Sequence, residues 1–557
     1  MLFAKVALGL AVEGPFDYSV PDQFKHKIKV GSRVEVMLRA KKMVGFVVVL
    51  SKSTKIKYTR PILKLIDDLP LLSKNMLLLA RRLSQYYYCS LGEAVETMLP
   101  ESLRKGRVLP AACVADRTGP QESYSFKEGQ VETELVYDPG GSSRWERYIL
   151  EIKDMLRQGR GVIVILPDIQ AIERARGIFS GKVEAQPVII FRKQKGEAEE
   201  WLKIKKEGAR FILGTRSAVF APLERTGLII LDEEEDPVYK QEQVPHYHAR
   251  EVAGMRAKID KAKLILGSRS PSLESFYAAK RHRIKYSLMP RKHGLPEVKI
   301  ADTRFNRNLP KGKGGISISK YLLDSIMNAL SLKERILVFL DRRGFATLAF
   351  CHNCGKVLEC PRCKVNLTYH FDTKQLSCHR CNYRCPLPSI CPNCNSGYIK
   401  YSGAGVERVE SELSRIFPQA KIRRLDNPVS FKDTQADIFV STSLVMKQSD
   451  FTFDLIGALG TDNSLNRVDL RSSEKAFRVL SGLLSLTRKK LVVETGFPAH
   501  HAYEWLLKGE SSVFYEKELK ERKQLNFPPF QRIALLKLRG KAEDKVKEKS
   551  LELFEKL

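Results

Sequence analysis

CHNCGKVLECPRC (351–363), followed by CHRC (378–381) and CPNC (391–394), places eight cysteines in four Cys-x-x-Cys pairs: Cys351/Cys354, Cys360/Cys363, Cys378/Cys381 and Cys391/Cys394. Each pair makes a tight knuckle with two sulfurs on one side, and two knuckles complete the four-sulfur shell of a closed structural zinc site. Eight thiolates therefore predict two tetrahedral metal sites. Disulfides are the competing use of such cysteines, but no secretory signature accompanies them. Iron could occupy the same sulfur cage. Spacing leaves adjacent, crossed and nested matchings of the four knuckles open. Cys385 breaks the pair rule and reads as a bystander. Lys356, Arg362, Lys364, Arg380 and Arg384, set among Phe350, Tyr369, Phe371, Tyr383 and Tyr398, suit a surface that tracks a nucleic-acid backbone and stacks on bases. They suit a small solvated knob equally well.

Outward from this window the chain alternates apolar strand-like runs with helical stretches. Before it come Gly161–Leu166, Pro187–Phe191, Phe211–Leu213, Leu228–Leu231 and Lys263–Leu266; bracketing it are Arg335–Leu340, Lys421–Leu425, Asp437–Val440, Leu455–Leu459 and Leu491–Glu494. Such alternation predicts parallel sheets covered by helices, hence two tandem α/β lobes with the cysteine insert projecting from the second. The N-terminal residues predict a compact β-rich unit, with strands at Val6–Val12, Arg33–Met37 and Val44–Leu50 and a helix over Leu71–Tyr88. A Gly-, Pro- and Ser-rich stretch after Arg107 reads as a linker. The tail predicts a strand at Arg532–Leu538 and a terminal Lys- and Glu-rich helix, too little to form a core alone.

At 557 residues the chain has room for several cores, and 95 Lys plus Arg against 64 Asp plus Glu give a formal charge of +31. That excess is spread along the chain and points to a polyanionic partner, nucleic acid before membrane. The apolar start at Leu2–Val12 is broken by Lys5 and lacks a cleavage signal, so it reads as a strand. No run nears the roughly 18 apolar residues of a membrane span, and the cysteines favour a reducing, cytoplasmic location.

Gly214-Thr215-Arg216-Ser217-Ala218, Leu228 to Glu235, Tyr247-His248-Ala249-Arg250, Gly267-Ser268 and Pro271-Ser272-Leu273-Glu274-Ser275 follow one another in a fixed order. Asp341-Arg342-Arg343-Gly344 precedes the cysteines and Gly403-Ala404-Gly405-Val406-Glu407-Arg408 follows them. In these motifs the chain resembles the PriA family of primosomal replication-restart proteins over most of residues 1 to 540. The resemblance implies two RecA-like helicase lobes, a zinc-binding insert in the second and a small β-rich N-terminal DNA-binding domain. The boundaries expected are 1–106 for a domain that binds DNA 3′ ends, 107–133 for a linker, 134–295 for the first lobe, 296–345 with 402–510 for the second, 346–401 for the insert and 511–557 for a truncated C-terminal domain. It further implies two nested Zn²⁺ sites, Cys351, Cys354, Cys391 and Cys394 on one ion and Cys360, Cys363, Cys378 and Cys381 on the other. The partners implied are forked DNA with a nascent 3′ end, primosome proteins and single-strand-binding protein, with no membrane. A winged-helix segment of relatives has no counterpart in the short linker, so contacts made through it are not carried over.

The nucleotide motifs depart from the family pattern. Before Glu146 and Tyr148, which match, the G-x-x-x-x-G-K-T loop reads DPGGSSRW (138–145), with Asp138 and Ser143 for glycines, Arg144 for lysine and Trp145 for threonine. Glycines let backbone amides converge on phosphates, lysine supplies a compact charge and the hydroxyl holds magnesium. All four changes argue against ATP and Mg²⁺. In the second lobe Leu486 stands where the family's arginine finger is expected, within Gly482–Lys489, and Ser441–Gln448 is an eroded form of another motif. Asp232 and Glu233 survive at the positions of the family's magnesium and water-activating pair, but without partners they read as a solvated acidic turn. Gly14–Pro21 matches the family's pocket for a free 3′ end: Phe16 would stack on the terminal base, Asp17 would accept from the 3′ hydroxyl, and Arg60 lies near. Arg39 replaces a glycine of that pocket. The reading is a restart protein that binds stalled forks and initiates primosome assembly without helicase activity, and hence without catalytic residues. Its rivals are a 3′-to-5′ ATP-dependent helicase with residual turnover and a generic zinc-ribbon nucleic-acid-binding scaffold.

Overall fold

The computed structural model describes residues 1–106, 131–291, 294–304, 318–341 and 348–556, the last with gaps at 352, 355–357, 362–366, 371–374, 378–382, 398, 403–404, 426–434, 448–450, 466–468 and 541. The linker expectation and the loop at Arg342 to Gly344 thus fall almost wholly outside the described residues.

Valine-rich runs in its longer strands make the N-terminal part a six-stranded sheet in the order Arg60–Pro61, Phe16–Ser19, Phe3–Leu8, Lys41–Ser51, Arg33–Leu38, Lys64–Leu65. Side chains alternate across it as a strand period requires: Val6 and Leu8 join one apolar cluster, while Ala7, Phe46 and Val48 face helices Lys74–Tyr87 and Leu91–Met98. Ser73 caps the first helix by accepting from the Met76 amide, and Ser90 with Glu93 forms a capping box on the second. The three short strands Phe16–Ser19, Arg60–Pro61 and Lys64–Leu65 carry too few residues for a readable period. A buried pair closes the unit: Arg33 donates through Nε and Nη2 to both Asp67 oxygens, each at 2.6 Å, and through Nη1 to the Leu103 carbonyl at 2.6 Å.

Both expected parallel sheets are present. The first has seven strands in the order Lys285–Leu288, Thr133–Tyr137, Lys263–Ser268, Thr226–Asp232, Gly161–Ile165, Phe211–Gly214, Val188–Ile190. The second has six, ordered Glu297–Asp302, Thr487–Thr495, Phe453–Leu459, Ile336–Leu340, Ile438–Ser441, Ile422–Leu425. Central strands such as Gly161–Ile165 and Ile336–Leu340 are buried at every residue, which is why they read as unbroken apolar runs. The lobe strands that sequence reading passes over are short or mixed: Thr133–Tyr137 and Lys285–Leu288 have only three and two apolar residues beside polar ones, and Glu297–Asp302 interleaves charged residues with apolar ones. The cysteine insert is a five-stranded antiparallel sheet, emerging after Ile336–Leu340 and returning before helix Gly405–Ile416.

The tail, too short for a core of its own, packs on a neighbour: Phe514, Tyr515 and Leu519 of helix Ser511–Gln524 belong to the second lobe's core. One expectation there is corrected. Arg532–Leu538 is not a strand, because none of the described strands lends it an edge, and Leu535 remains 77% exposed. The units do not hang loosely together. Helix Lys74–Tyr87 packs on Ala249–Asp260 of the first lobe within one apolar cluster, and Leu273 of the first lobe lies in the core of the second. No helix among the described residues is long and apolar enough to cross a membrane.

Candidate functional site

The loop at 138–143 joins strand Thr133–Tyr137 to helix Arg144–Arg157, the place where a phosphate cradle would present converging amides. Ser143, at the helix N-cap, makes no side-chain cap, and Asp138 serves instead. Its carboxylate accepts from the Gly141 amide at 3.0 Å and from the Arg144 amide at 2.9 Å, so the chain's own anion takes donors that a phosphate would need. The Arg144 side chain is 3% exposed and turns into the cleft. Nε reaches Asp232 Oδ1 at 2.6 Å, Nη2 reaches Oδ2 at 3.1 Å, and Nη1 donates to the Gly141 carbonyl at 2.6 Å. This fork-on-fork geometry suits arginine and would be lost with lysine. Burial opposes the Arg144 charge, but the Asp232 carboxylate beside it prevails and lifts the guanidinium above its ordinary pKa. Tyr148 donates to Asp232 Oδ1 at 2.9 Å and Tyr239 to the Asp232 carbonyl at 2.6 Å. Trp145 packs edge-on against Tyr148 and Phe179, with the Arg144 guanidinium 5.5 Å from its ring centroid.

The acidic run is therefore not a solvated turn. Asp232 is 2% exposed and Glu234 fully buried, because each folds onto a cation: Asp232 onto Arg144, and Glu234 onto Arg250 Nη1 at 2.6 Å. Glu233 accepts from Arg269 Nη2 at 3.0 Å. Glu235 accepts from Ser268 Oγ at 2.7 Å and Ser270 Oγ at 3.0 Å, and burial together with the neighbouring Glu234 and Glu233 pushes its carboxyl up to about 8. Across the cleft, Leu486 is 2% exposed in the second lobe's core at the end of helix Ser472–Leu486. It offers nothing to a phosphate. In the Ser441–Gln448 segment the Met446 carbonyl accepts from Arg269 at 3.2 Å, and Lys447 pairs with Asp168 of the first lobe at 2.7 Å.

In the insert, antiparallel pairing of Leu348–Cys351 with Ile399–Ser402 draws the outermost knuckles together. One ligand atom from each of Cys351, Cys354, Cys391 and Cys394 lies within 4.8 Å of the others, with Sγ separations of 3.5 Å for Cys351–Cys394 and 3.8 Å for Cys354–Cys391. A tetrahedron with metal–sulfur bonds of 2.3 Å has edges of about 3.8 Å, so the donor set fits zinc. The Asn393 amide donates to Cys391 Sγ at 3.4 Å and its side chain to Cys354 Sγ at 3.5 Å, orienting the thiolates. Cys360 is buried, whereas Cys363, Cys378 and Cys381 lie outside the described residues. Cys385 packs against the small apolar cluster of Leu358, Leu367 and Leu376.

Phe16, Asp17 and Arg60 meet at one edge of the N-terminal sheet, where Phe16–Ser19 runs between Phe3–Leu8 and Arg60–Pro61. Phe16 packs partly into the apolar cluster. The Asp17 side chain is only 7% exposed: it pairs with Lys5 at 3.0 Å and accepts from Thr54 Oγ1 at 2.6 Å. Burial raises its pKa, but the Thr54 and Lys5 contacts outweigh that and hold it below the usual carboxylate value. Arg60 donates to the Arg39 carbonyl, and Arg39 has φ +52°, the left-handed conformation a glycine adopts without cost. Sequence reasoning missed Arg269 and Lys5. The available signal for the cleft was complementarity: an aspartate and an arginine entering a phosphate loop while Asp232 survived, which makes an internal ion pair the economical reading.

Residues 5–100 match the family description "3'DNA-binding domain (3'BD)" of PriA, and residues 360–386 match "PriA DNA helicase Cys-rich region (CRR) domain". The chain is similar to the replication restart protein PriA of Bacillus subtilis, 33% identical over 427 residues, covering 72% of this chain and 52% of that protein, about half its length. It is similar also to the protein of that name in Borreliella burgdorferi, 29% identical over 532 residues with 89% and 79% covered, and in Chlamydia pneumoniae, 28% identical over 655 residues with 97% and 87% covered. Among solved structures, a DEAD box protein from Methanococcus jannaschii covers 71% of this chain and 87% of its own at a TM-score of 0.32 and 11% identity, a likeness too slight to build on. With its end-binding and cysteine-rich regions both matched and its relatives spanning both lobes, the chain belongs to the PriA family of replication restart proteins.

Proposed function

We propose that this chain binds stalled replication forks and nascent 3′ ends in the cytoplasm and initiates primosome assembly without hydrolysing ATP. The carrying observation is the bidentate contact of Arg144 with Asp232, made while Asp138 holds the Gly141 and Arg144 amides. Triphosphate would have to displace two buried carboxylate contacts and then meet Asp138 itself, so binding is disfavoured by both desolvation and like charge. Two zinc ions per chain would be architectural, since four sulfurs leave no open coordination position. Affinity would come from phosphate contacts of a basic surface and specificity from the shape of a branch with a 3′ end. Primosome proteins and single-strand-binding protein are the partners the reading implies.

The test is phosphate release on forked DNA, together with calorimetric titration of ATP with and without Mg²⁺. Neither should rise above background, and DNA-stimulated turnover would overturn the reading in favour of a residual helicase. One observation favours an inert zinc-ribbon scaffold: Asp17 is already engaged by Lys5 and Thr54. Competition between forks with a free and a blocked 3′ end decides between them, since indifference to blocking removes the end pocket.

A further inference from the structure

In a motor whose two lobes close around a nucleotide, the bridging charge belongs to the ligand, and the cleft relaxes when that ligand leaves. Here bridging groups of both signs belong to the chain. Arg269 follows strand Lys263–Ser268 and projects across the cleft. Its Nη2 donates to Glu233 of the first lobe at 3.0 Å and to the Met446 carbonyl of the second at 3.2 Å, and its own carbonyl accepts from Ser481 Oγ at 3.2 Å. Gly141, at φ +83°, leaves room for it, since a Cβ there would lie 2.7 Å from Arg269 Cδ.

Contacts on both rims act in the same direction. Arg478 donates to the Glu235 carbonyl at 3.2 Å, Lys447 pairs with Asp168 at 2.7 Å, and Arg174 donates to the Lys447 carbonyl. On the far rim Arg471 bridges Glu274 of the first lobe to Glu474 of the second, and Phe276 stacks on Tyr515 with ring centroids 4.0 Å apart.

We propose that Arg269 latches the two lobes together, so that closure is constitutive and independent of nucleotide. The proposal rests on the reading that Arg144 fills the phosphate cradle. Its consequence is a DNA-binding face of fixed geometry, whose grip on DNA no nucleotide releases. The experiment places click-reactive unnatural residues at the exposed positions 157 and 320, one on each lobe, and measures the distance between their labels in the full-length, zinc-loaded chain. The expected result is one narrow distance without nucleotide, and a longer, broader distribution in Arg269→Ala at unchanged circular dichroism. Should that variant not fold, the Arg478→Ala/Lys447→Ala double variant is expected to show the same broadening. A broad distribution in the unsubstituted chain, or an unchanged one in the folded variant, overturns the latch. A chain that binds ATP yet keeps its single nucleotide-free distance sinks the ATP-free reading and leaves the latch standing.

Discussion

Arg144 is the residue on which the cleft turns, because its buried bidentate contact ties the loop at 138–143 to Asp232. Removing one partner of a buried pair strands the other, so Arg144→Ala is expected to destabilise the fold by about 3–5 kcal/mol in urea unfolding and to leave calorimetric ATP binding at zero. Arg39 offers the opposite sign. Its φ of +52° is costly for a side-chain-bearing residue, and Arg39→Gly should raise stability by about 1 kcal/mol in the same assay. Substitutions at both positions were readable from sequence, as departures from a motif. What they contact was not, because Asp232 and Arg60 reach them only through the order of strands in a sheet.

At the scale of elements, helix Ser472–Leu486 and the cysteine sheet behave differently. The helix buries its apolar face in the second lobe's core, with Leu486 at its end. Leu486→Arg would bury an unpaired guanidinium, and it is expected to cost several kcal/mol while leaving phosphate release at background. The insert has few apolar side chains to hold it, its described core cluster being Leu358, Cys360, Leu367 and Leu376. Chelation should therefore expose residues 348–402 to proteolysis while both lobes stay resistant, and metal analysis of the untreated chain should return two zinc ions. Its four knuckles could be read from cysteine spacing; the convergence of Cys351, Cys354, Cys391 and Cys394 required the pairing of strands Leu348–Cys351 and Ile399–Ser402.

For the whole molecule, the buried acids behind the cleft make stability depend on pH. Glu235 is raised in the folded chain from 4.5 to about 8, so the native state holds a proton that the unfolded chain has released. Its contribution is complete below about pH 4.5 and disappears as pH rises through about 8. Comparison of urea midpoints between pH 5 and 8 should show a decline in the unsubstituted chain that Glu235→Gln reduces. Under the proposed function, DNA affinity should fall steeply with salt, because a chain of net charge +31 would hold DNA chiefly through its phosphates.

The lobes, the cysteine insert, its metal-binding chemistry and the residue types of the 138–145 loop were legible from the chain alone, because these depend on local periodicity, on knuckle spacing and on which atoms a side chain carries. Folding settled which partners the charged side chains of the cleft and of the N-terminal sheet take. Asp138 on the loop amides, Arg144 on Asp232, Arg269 across the cleft and Asp17 on Lys5 and Thr54 are contacts between segments distant in the chain. A buried charge must find an opposite charge or a dipole wherever the folded sheets bring one within reach, and that geometry is not written in the order of residues.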